Sequence, residues 1–309
     1  MSNPANHTAH SLSRRQFIAG TSAAIAAGCI TRAWTAEPAS NKRIVVGAHP
    51  WVYAAKQPKY DITAILPDIF ADMRYAGLDG IELMHTALRP KDAVQRIGDL
   101  SAKHRLPVIG TSFGGAMWDR TQHQAVLEDA ELVISRLAKL GGRTLGTSVG
   151  QTPKRKTEEQ LDAQADVLRK IIKICEAHGV VLNLHNHTYE VIDGLHDLKG
   201  TLRRIPDVKL GPDLNWLVRG GVDPVKFIRE YGSKIVFLHL RDQHANGRWS
   251  EAMGEGAMDY AAIGKALGEA QFAGDAVIEL AHEGDFKPTR PLRESLKISR
   301  EYVRRVMEF

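Results

Sequence analysis

The sequence predicts a single (β/α)8 barrel, an α/β fold of the TIM-barrel kind. Three observations carry that reading. A unit made of an amphipathic helical stretch, a Gly or Pro stop, a short apolar run and a polar loop recurs until there are eight apolar runs. Strict alternation of strand and helix demands a parallel sheet. An open doubly wound sheet would carry a glycine-rich phosphate loop after its first strand, and here that strand runs into "GAHPWVYAAKQPKYD", which has none.

The eight runs, in order, are "RIVVGAHPW", "LDGIELM", "LPVIGTSF", "RTLGTSVG", "VVLNLHNH", "VKLGPDLN", "KIVFLHLRD" and "DAVIELAHE". The clearest helix between them is "TEEQLDAQADVLRKIIKICEAHG". Thr157 and Gln160 have capping-box spacing at its start, and Gly179 ends it. Leu161, Ala165, Leu168, Ile172 and Cys175 line one face, which makes Cys175 a core residue. The last helix, "LRESLKISREYVRRVMEF", offers Leu292, Leu296, Val303 and Val306 to the barrel wall. The chain holds only two cysteines, Cys29 and Cys175, and Cys29 falls in the leader, so no internal disulfide is expected.

The sequence divides into residues 1–36, a leader and linker, and 37–309, the barrel. "SLSRRQFIAGTSAAIAAGC" has paired Arg14 and Arg15 followed by Phe17 and a short Ala/Gly-rich run, and it resembles a twin-arginine export signal. This predicts engagement of the twin-arginine export machinery and a periplasmic location. The run is too short and weak to span a membrane. "AAGC" ending at Cys29 loosely resembles a lipoprotein box, which leaves a lipid anchor there as the alternative. Of the net charge of +5, three charges belong to Arg14, Arg15 and Arg32, and no acid precedes Glu37, so the remainder is +2. That balance gives no argument for nucleic acid as a partner.

In such a barrel the chemistry sits at the C-terminal ends of the strands. Those ends read His49; Glu82; Thr111 and Ser112; Ser148; His185, His187 and Glu190; Asp213 and Asn215; His239 and Arg241; Glu279 and His282. Charged groups ending apolar strands are costly to desolvate unless paired or bound to a metal. A lone His at a strand end is usually a satisfied polar residue, but four consecutive strands here each present a His or carboxylate. Asp213, His239 and Glu279 stand at equivalent depths on strands six to eight. They form a ligand set for one divalent cation, Mn²⁺ first, with Zn²⁺, Mg²⁺ or Co²⁺ as alternatives. Period-two geometry turns His185 and His187 to one side, and His239 and Arg241 likewise. Glu82 is expected to buttress the site or touch substrate. His49 and Trp51 read as a substrate wall or a barrel cap, and Trp216 as a sugar-stacking face or a core aromatic.

In order and spacing, "LDGIEL", "HNHTYE", "PDLNW" with "GGVDPV", "FLHLRD", "MGEGAMDY" and "VIEL" resemble the xylose isomerase-like barrel superfamily. That group holds sugar isomerases and epimerases, including ketose 3-epimerase-like members, as well as inosose dehydratases. The resemblance implies four metal ligands: a Glu on strand five, an Asp on six, a His on seven and a Glu on eight. Asp213, His239 and Glu279 match the last three. His185 occupies the first position, so the fourth ligand is His185, a Glu190 that folds back, or water. Trp216 stands where epimerases often carry a substrate-binding His.

The resemblance implies removal of a proton α to a carbonyl of a sugar. Glu279 or His185 is the expected base, His187 or Glu190 the partner that handles the proton, and Arg241 the holder of a substrate oxygen. The family's epimerases use two metal-bound glutamates, and only Glu279 remains clearly here, which gives weight to a one-base elimination from a keto-sugar, keto-glycoside or keto-inositol. Export and the missing phosphate loop favour an unphosphorylated carbohydrate. Two other classes stand beside the enzyme. One is a barrel that binds sugar without turnover. The other is a nuclease, which would need a larger ligand set and a basic surface.

Overall fold

The computed structural model describes residues 43–309. The Arg14–Arg15 pair, Cys29 and the boundary after residue 36 lie outside the described residues. Within them, eight parallel strands form the expected barrel: β1 (Val46–Ala48), β2 (Gly80–Met84), β3 (Val108–Gly114), β4 (Thr144–Ser148), β5 (Val181–Leu184), β6 (Lys209–Leu210), β7 (Phe237–Leu240) and β8 (Asp275–Ile278). Sequential neighbours pair from β1 to β6, and β8 joins β1 to β7. The circle closes between β6 and β7 through two isolated parallel bridges, Leu210 with Ile235 and Asp213 with His239. β6 is far shorter than its apolar run because Gly211 and Pro212 follow it, and proline has no N–H for a ladder.

Among the described residues, ten α-helical segments accompany the strands: α1 (Trp51–Ala54), α2 (Leu66–Tyr75), α3 (Ala93–His104), α4 (His123–Lys139), α5 (Glu158–Ala177), α6 (Thr188–Arg204), α7 (Leu214–Arg219), α8 (Pro224–Tyr231), α9 (Tyr260–Glu269) and α10 (Leu292–Val306). The capping box of α5 is present. Thr157 Oγ1 accepts from Gln160 N at 3.3 Å, and Gln160 Oε1 accepts from Thr157 N at 3.0 Å. Leu161, Ala165, Leu168 and Cys175 are buried as the spacing predicts. Leu296 and Val303 are the buried residues among the four named on α10, with Leu292 and Val306 at its margin.

Apolar side chains on the outer face of the strands and the inner faces of the helices make the core. On α2, Leu66, Ile69, Phe70 and Met73 are all fully enclosed, each worth roughly 1.5–3 kcal/mol of burial. The upper interior of the barrel is different, because it is polar. Asn183 points inward from β5 and occupies the space over Gly211, where any Cβ would collide with its side-chain oxygen. Glu82 lies beside it at the same level, near the face of Gly146.

α6 is broken. Asp193, Gly194 and Leu195 take left-handed dihedrals with φ of 54°, 66° and 65°. Two of the three carry side chains that disfavour that region, so surrounding contacts must hold it. A buried network does so. Lys156 Nζ donates to Asp197 Oδ2 at 2.5 Å and to Gln164 Oε1 at 2.8 Å, while Gln164 Nε2 donates to Asp197 Oδ1 and Thr201 Oγ1. The helix that follows β5 is thereby pinned to α5, and with it the loop bearing His185 and His187.

Candidate metal and sugar site

The mouth of the barrel opens into a cavity of ≈ 770 Å³. His49, His185, His187, Trp216, His239, Arg241 and Glu279 all line it, so the structure brings together most of the residues singled out from the sequence. Glu82, Asp213 and Glu190 do not line it.

Glu82 is fully buried below the cavity floor. Its Oε2 lies 2.5 Å from His239 Nε2. The sequence allowed it a substrate contact; the geometry makes it the support of His239. On the other side of the same ring, Glu279 Oε2 stands 2.8 Å from His239 Nδ1. Burial opposes a charge on His239, yet Glu82 and Glu279 hold its imidazole well above the ordinary value. The 2.8 Å approach lacks hydrogen-bond geometry, and His239 Nδ1 has no hydrogen-bond partner.

Asp213 serves two neighbours. Its Oδ1 accepts from Trp216 N at 2.9 Å and caps α7. Its Oδ2 is buried without a hydrogen bond and lies 3.4 Å from Arg241 Nη2. Burial lifts the Asp213 carboxyl above the usual range, against the pull of Arg241. Arg241 Nη2 also approaches Glu279 Oε1 at 3.0 Å. Burial disfavours charge on Glu279 too, but Arg241, His49 and His239 together hold its carboxyl well below the usual range. Arg241 is itself flanked by the faces of Trp216 and Trp249, at 5.5 and 5.3 Å.

His185 is half-buried, and its Nδ1 has no hydrogen-bond partner. Burial, then the neighbouring His239 and His187, push its pKa well below the ordinary value, so it is a neutral imidazole. His185, Asp213 and His239 offer ligand atoms that all lie within 4.8 Å of one another. The atoms Asp213 Oδ2, His185 Nδ1 and His239 Nδ1, none of which has a hydrogen bond, are the donor types a divalent cation takes, and Glu279 stands next to them. The residues present fit the metal that the strand ends suggested, with an imidazole in the strand-five place.

Glu190 has a different position from the one the sequence suggested. Its Oε1 accepts from Ser148 Oγ at 2.7 Å and Val149 N at 2.9 Å, and its Oε2 accepts from His187 N at 2.5 Å. Both oxygens are spent tying the first turn of α6 to the end of β4. Glu190 therefore does not fold back toward the cation cluster; it positions His187. Burial works against charge on His187, but Glu190, through its hydrogen bond and its charge, raises the imidazole above its ordinary value. His187 Nδ1 also meets Tyr189 Oη at 3.0 Å, and the two rings stack. His49 Nε2 bonds Ser112 Oγ at 3.0 Å, while its Nδ1 accepts from Trp51 N at 3.2 Å, so the ring is fixed between β1 and β3.

Sequence reasoning missed Tyr189, Trp249 and Asp242. Trp249 lies in the loop after β7, donates from Nε1 to Asn215 Oδ1, and carries Arg219 on its face at 3.9 Å. Asp242 laces that loop, accepting from the backbone N–H of Gln243, Gly254, Gly256 and Met258. A Cβ on Gly256 would strike the Asp242 carboxylate, which explains a glycine in "MGEGAMDY". The signal was available: a carboxylate directly after Arg241, then a glycine-spaced loop.

Parallel barrel, polar C-terminal mouth and converging ligand atoms define the class of protein: a TIM barrel with a candidate cation site over which a small molecule fits. The chain belongs to the xylose isomerase-like TIM barrel family, whose model matches residues 70–302. Solved structures of similar fold include an L-ribulose 3-epimerase (TM-score 0.70, 22% identity, 86% of this chain and 95% of the other). A 3-keto-D-glucoside 4-epimerase from E. coli is also similar (TM-score 0.67, 17% identity, 84% and 100%). So is a D-allulose 3-epimerase from Methylomonas sp. in complex with D-allulose (TM-score 0.67, 18% identity, 86% and 98%). By sequence, the chain is 28% identical over 95 residues to an inosose dehydratase from Geobacillus kaustophilus, a match that spans 30% of each chain. Among the described residues no helix is long and apolar enough to cross a membrane.

Proposed function

We propose that this protein is a metal-dependent sugar isomerase or epimerase that removes a proton α to a carbonyl of an unphosphorylated sugar or polyol. The observation that carries the reading is the convergence of donor atoms without hydrogen bonds from the ends of β5, β6 and β7, with His185 and His239 lining the cavity and Asp213 buried behind them. The named activities of the similar structures, all epimerases of sugars, agree with it. His185, Asp213, His239 and Glu279 would hold the cation. When bound, it supplies Lewis acidity, which acidifies the proton next to a sugar carbonyl.

The chain's own groups supply the rest. Glu279, ionised and facing the cavity, accepts the proton. A carboxylate held so far down is a weak base, so it acts only on an acidified carbon. Arg241, 3.0 Å from Glu279, balances the negative charge left on the substrate oxygen. His187, kept above its ordinary pKa by Glu190, is the proton donor at the rim. Glu82 keeps the His239 ring in place from below.

A second reading, elimination by a lyase or dehydratase of keto-sugars, keto-glycosides or keto-inositols, is favoured by one observation. With Glu190 tied to the backbone, Glu279 is the one carboxylate that lines the cavity among the described residues. The resemblance of "SLSRRQFIAGTSAAIAAGC" to a twin-arginine export signal supports a periplasmic site of action on either reading. The test is Mn²⁺ titration followed by incubation in D₂O with ketoses, keto-inositols and 3-keto-glycosides. Deuterium entry with conserved carbon skeleton supports isomerisation or epimerisation, and loss of water or an aglycone supports elimination. Stoichiometric Mn²⁺ binding is expected, and a chain that binds no divalent cation refutes the reading.

A further inference from the structure

The cavity is not used evenly by the proposed chemistry. Its reactive groups stand on β5 to β8 and at the end of β1. The arc from β2 to β4 contributes Met84, Phe113, Gly114, Gly115, Ala116 and Gly150 among its lining, and among the described residues no carboxylate, lysine or arginine lines that arc. The one titratable group there among the described residues, His85, is pushed down to about 4, first by burial and then by Arg89, so it is neutral. A space of ≈ 770 Å³ lies in the upper part of the range that encloses drug-sized ligands, and a single hexose would leave much of it to water.

Aromatic surfaces frame this space. Trp51 lines it from the start of α1, and Tyr60 stacks on Trp51 with ring centroids 5.4 Å apart. Tyr60 is 52% exposed, and both it and Lys59 are held in left-handed backbone, at φ of 57° and 56°. Neither is a glycine, so the turn carries strain whose result is to continue an aromatic wall from the cavity outward. Trp216 and Trp249 close the opposite side in an edge-to-face pair.

We infer that the substrate is a neutral glycoside whose reacting sugar carries the carbonyl, with that sugar on the polar half and a second ring in the uncharged arc from β2 to β4 against Trp51. This rests on the sugar-enzyme reading above and names its substrate class. A second sugar ring and an aryl group share the needed chemistry, a neutral ring with an apolar face. A phosphorylated substituent would find no cation on that arc.

The test is tryptophan fluorescence of the full purified chain with Mn²⁺, since three tryptophans line the cavity. The probes are D-glucose and D-galactose, their phenyl α- and β-glycosides, cellobiose and lactose. At least one glycoside is expected to bind tenfold or more tighter than its free hexose. Disaccharides against phenyl glycosides distinguish the two kinds of second ring. Ala116→Phe, which fills the arc, is expected to bring the best ratio to within about threefold of unity, and Tyr60→Ala, at an exposed position, to lower it in the same direction. Free hexoses binding as tightly as every glycoside would overturn the inference, as would a ratio that neither substitution moves. Mn²⁺ binding with equal affinity for hexose and glycoside sinks only this inference. A chain that takes up neither Mn²⁺ nor any sugar sinks the enzymatic reading with it.

Discussion

The two halves of the barrel mouth are built on opposite principles. From β5 round to β1, side chains are large, titratable and mutually compensating: His239 between Glu82 and Glu279, and Arg241 between Glu279 and Asp213. From β2 to β4 they are small or apolar, and the main role of the polar members is to orient groups on the other half. Ser112 holds His49, and Ser148 holds Glu190. Buried charges are tolerated on one side because each is neutralised within a few ångströms, which concentrates reactivity there and leaves the other side free to shape the ligand.

The largest expected effect tests this division directly. Glu279→Gln is expected to lower α-proton exchange, read as deuterium entry into the substrate, on the order of a thousandfold, whereas Ser112→Ala on the uncharged arc costs about tenfold or less. Equal losses would break the comparison. Glu82→Gln follows. Glu82 belongs to β2 by sequence but to the reactive half by contact, and its loss is expected to weaken Mn²⁺ binding about 10–100-fold in an EPR titration. Unchanged affinity would return Glu82 to the uncharged side.

Asp242→Ala tests what holds the Trp249 wall. Removing the acceptor of four backbone N–H groups is expected to cost on the order of 2–4 kcal/mol in urea unfolding. A loss within experimental error would show that the loop is held by Arg219 and Trp249 alone. The smallest effect concerns His85. Its pKa in the folded chain, about 4, lies below the ordinary 6.5 of a histidine. The unfolded chain therefore binds more protons between those values, and stability rises with pH across that window. The contribution is full above about pH 6.5 and is lost as pH falls toward 4. His85→Gln should flatten this slope by on the order of 1 kcal/mol, measured by denaturation at pH 4.5 and 7. An unaltered slope would mean that His85 is not kept neutral by its place in the arc.

Much of the barrel was legible because strand and helix leave different periods in a sequence. The reactive half was legible for a related reason. Asp213, His239 and Glu279 interrupt apolar runs at matching depths, and such interruptions need partners. Glu190 shows where that logic stopped. Its charge near two histidines suggested chemistry, yet His187 and Glu190 have the same three-residue spacing as Thr157 and Gln160, the capping pair recognised on α5. Spacing alone does not separate a base from a helix cap; the contact with Ser148 and Val149, some forty residues away, does. Trp249 was illegible because nothing local in "NGRWS" reveals that its ring crosses to Asn215 and Arg219. The sixth strand was carried through "VKLGPDLN", although Gly211 and Pro212 end it at Leu210.

The seam between β6 and β7 gives the architecture a coupling between occupancy and closure. Everywhere else a ladder zips neighbouring strands, but here a pair of lone bridges does so, and one of them joins Asp213 to His239. The residues proposed to grip the ion are thus also the stitch that shuts the cylinder. An ion seated between them would clasp the rim at its weakest join, so loading the chain with metal should raise its melting temperature and slow exchange of backbone amides along that join.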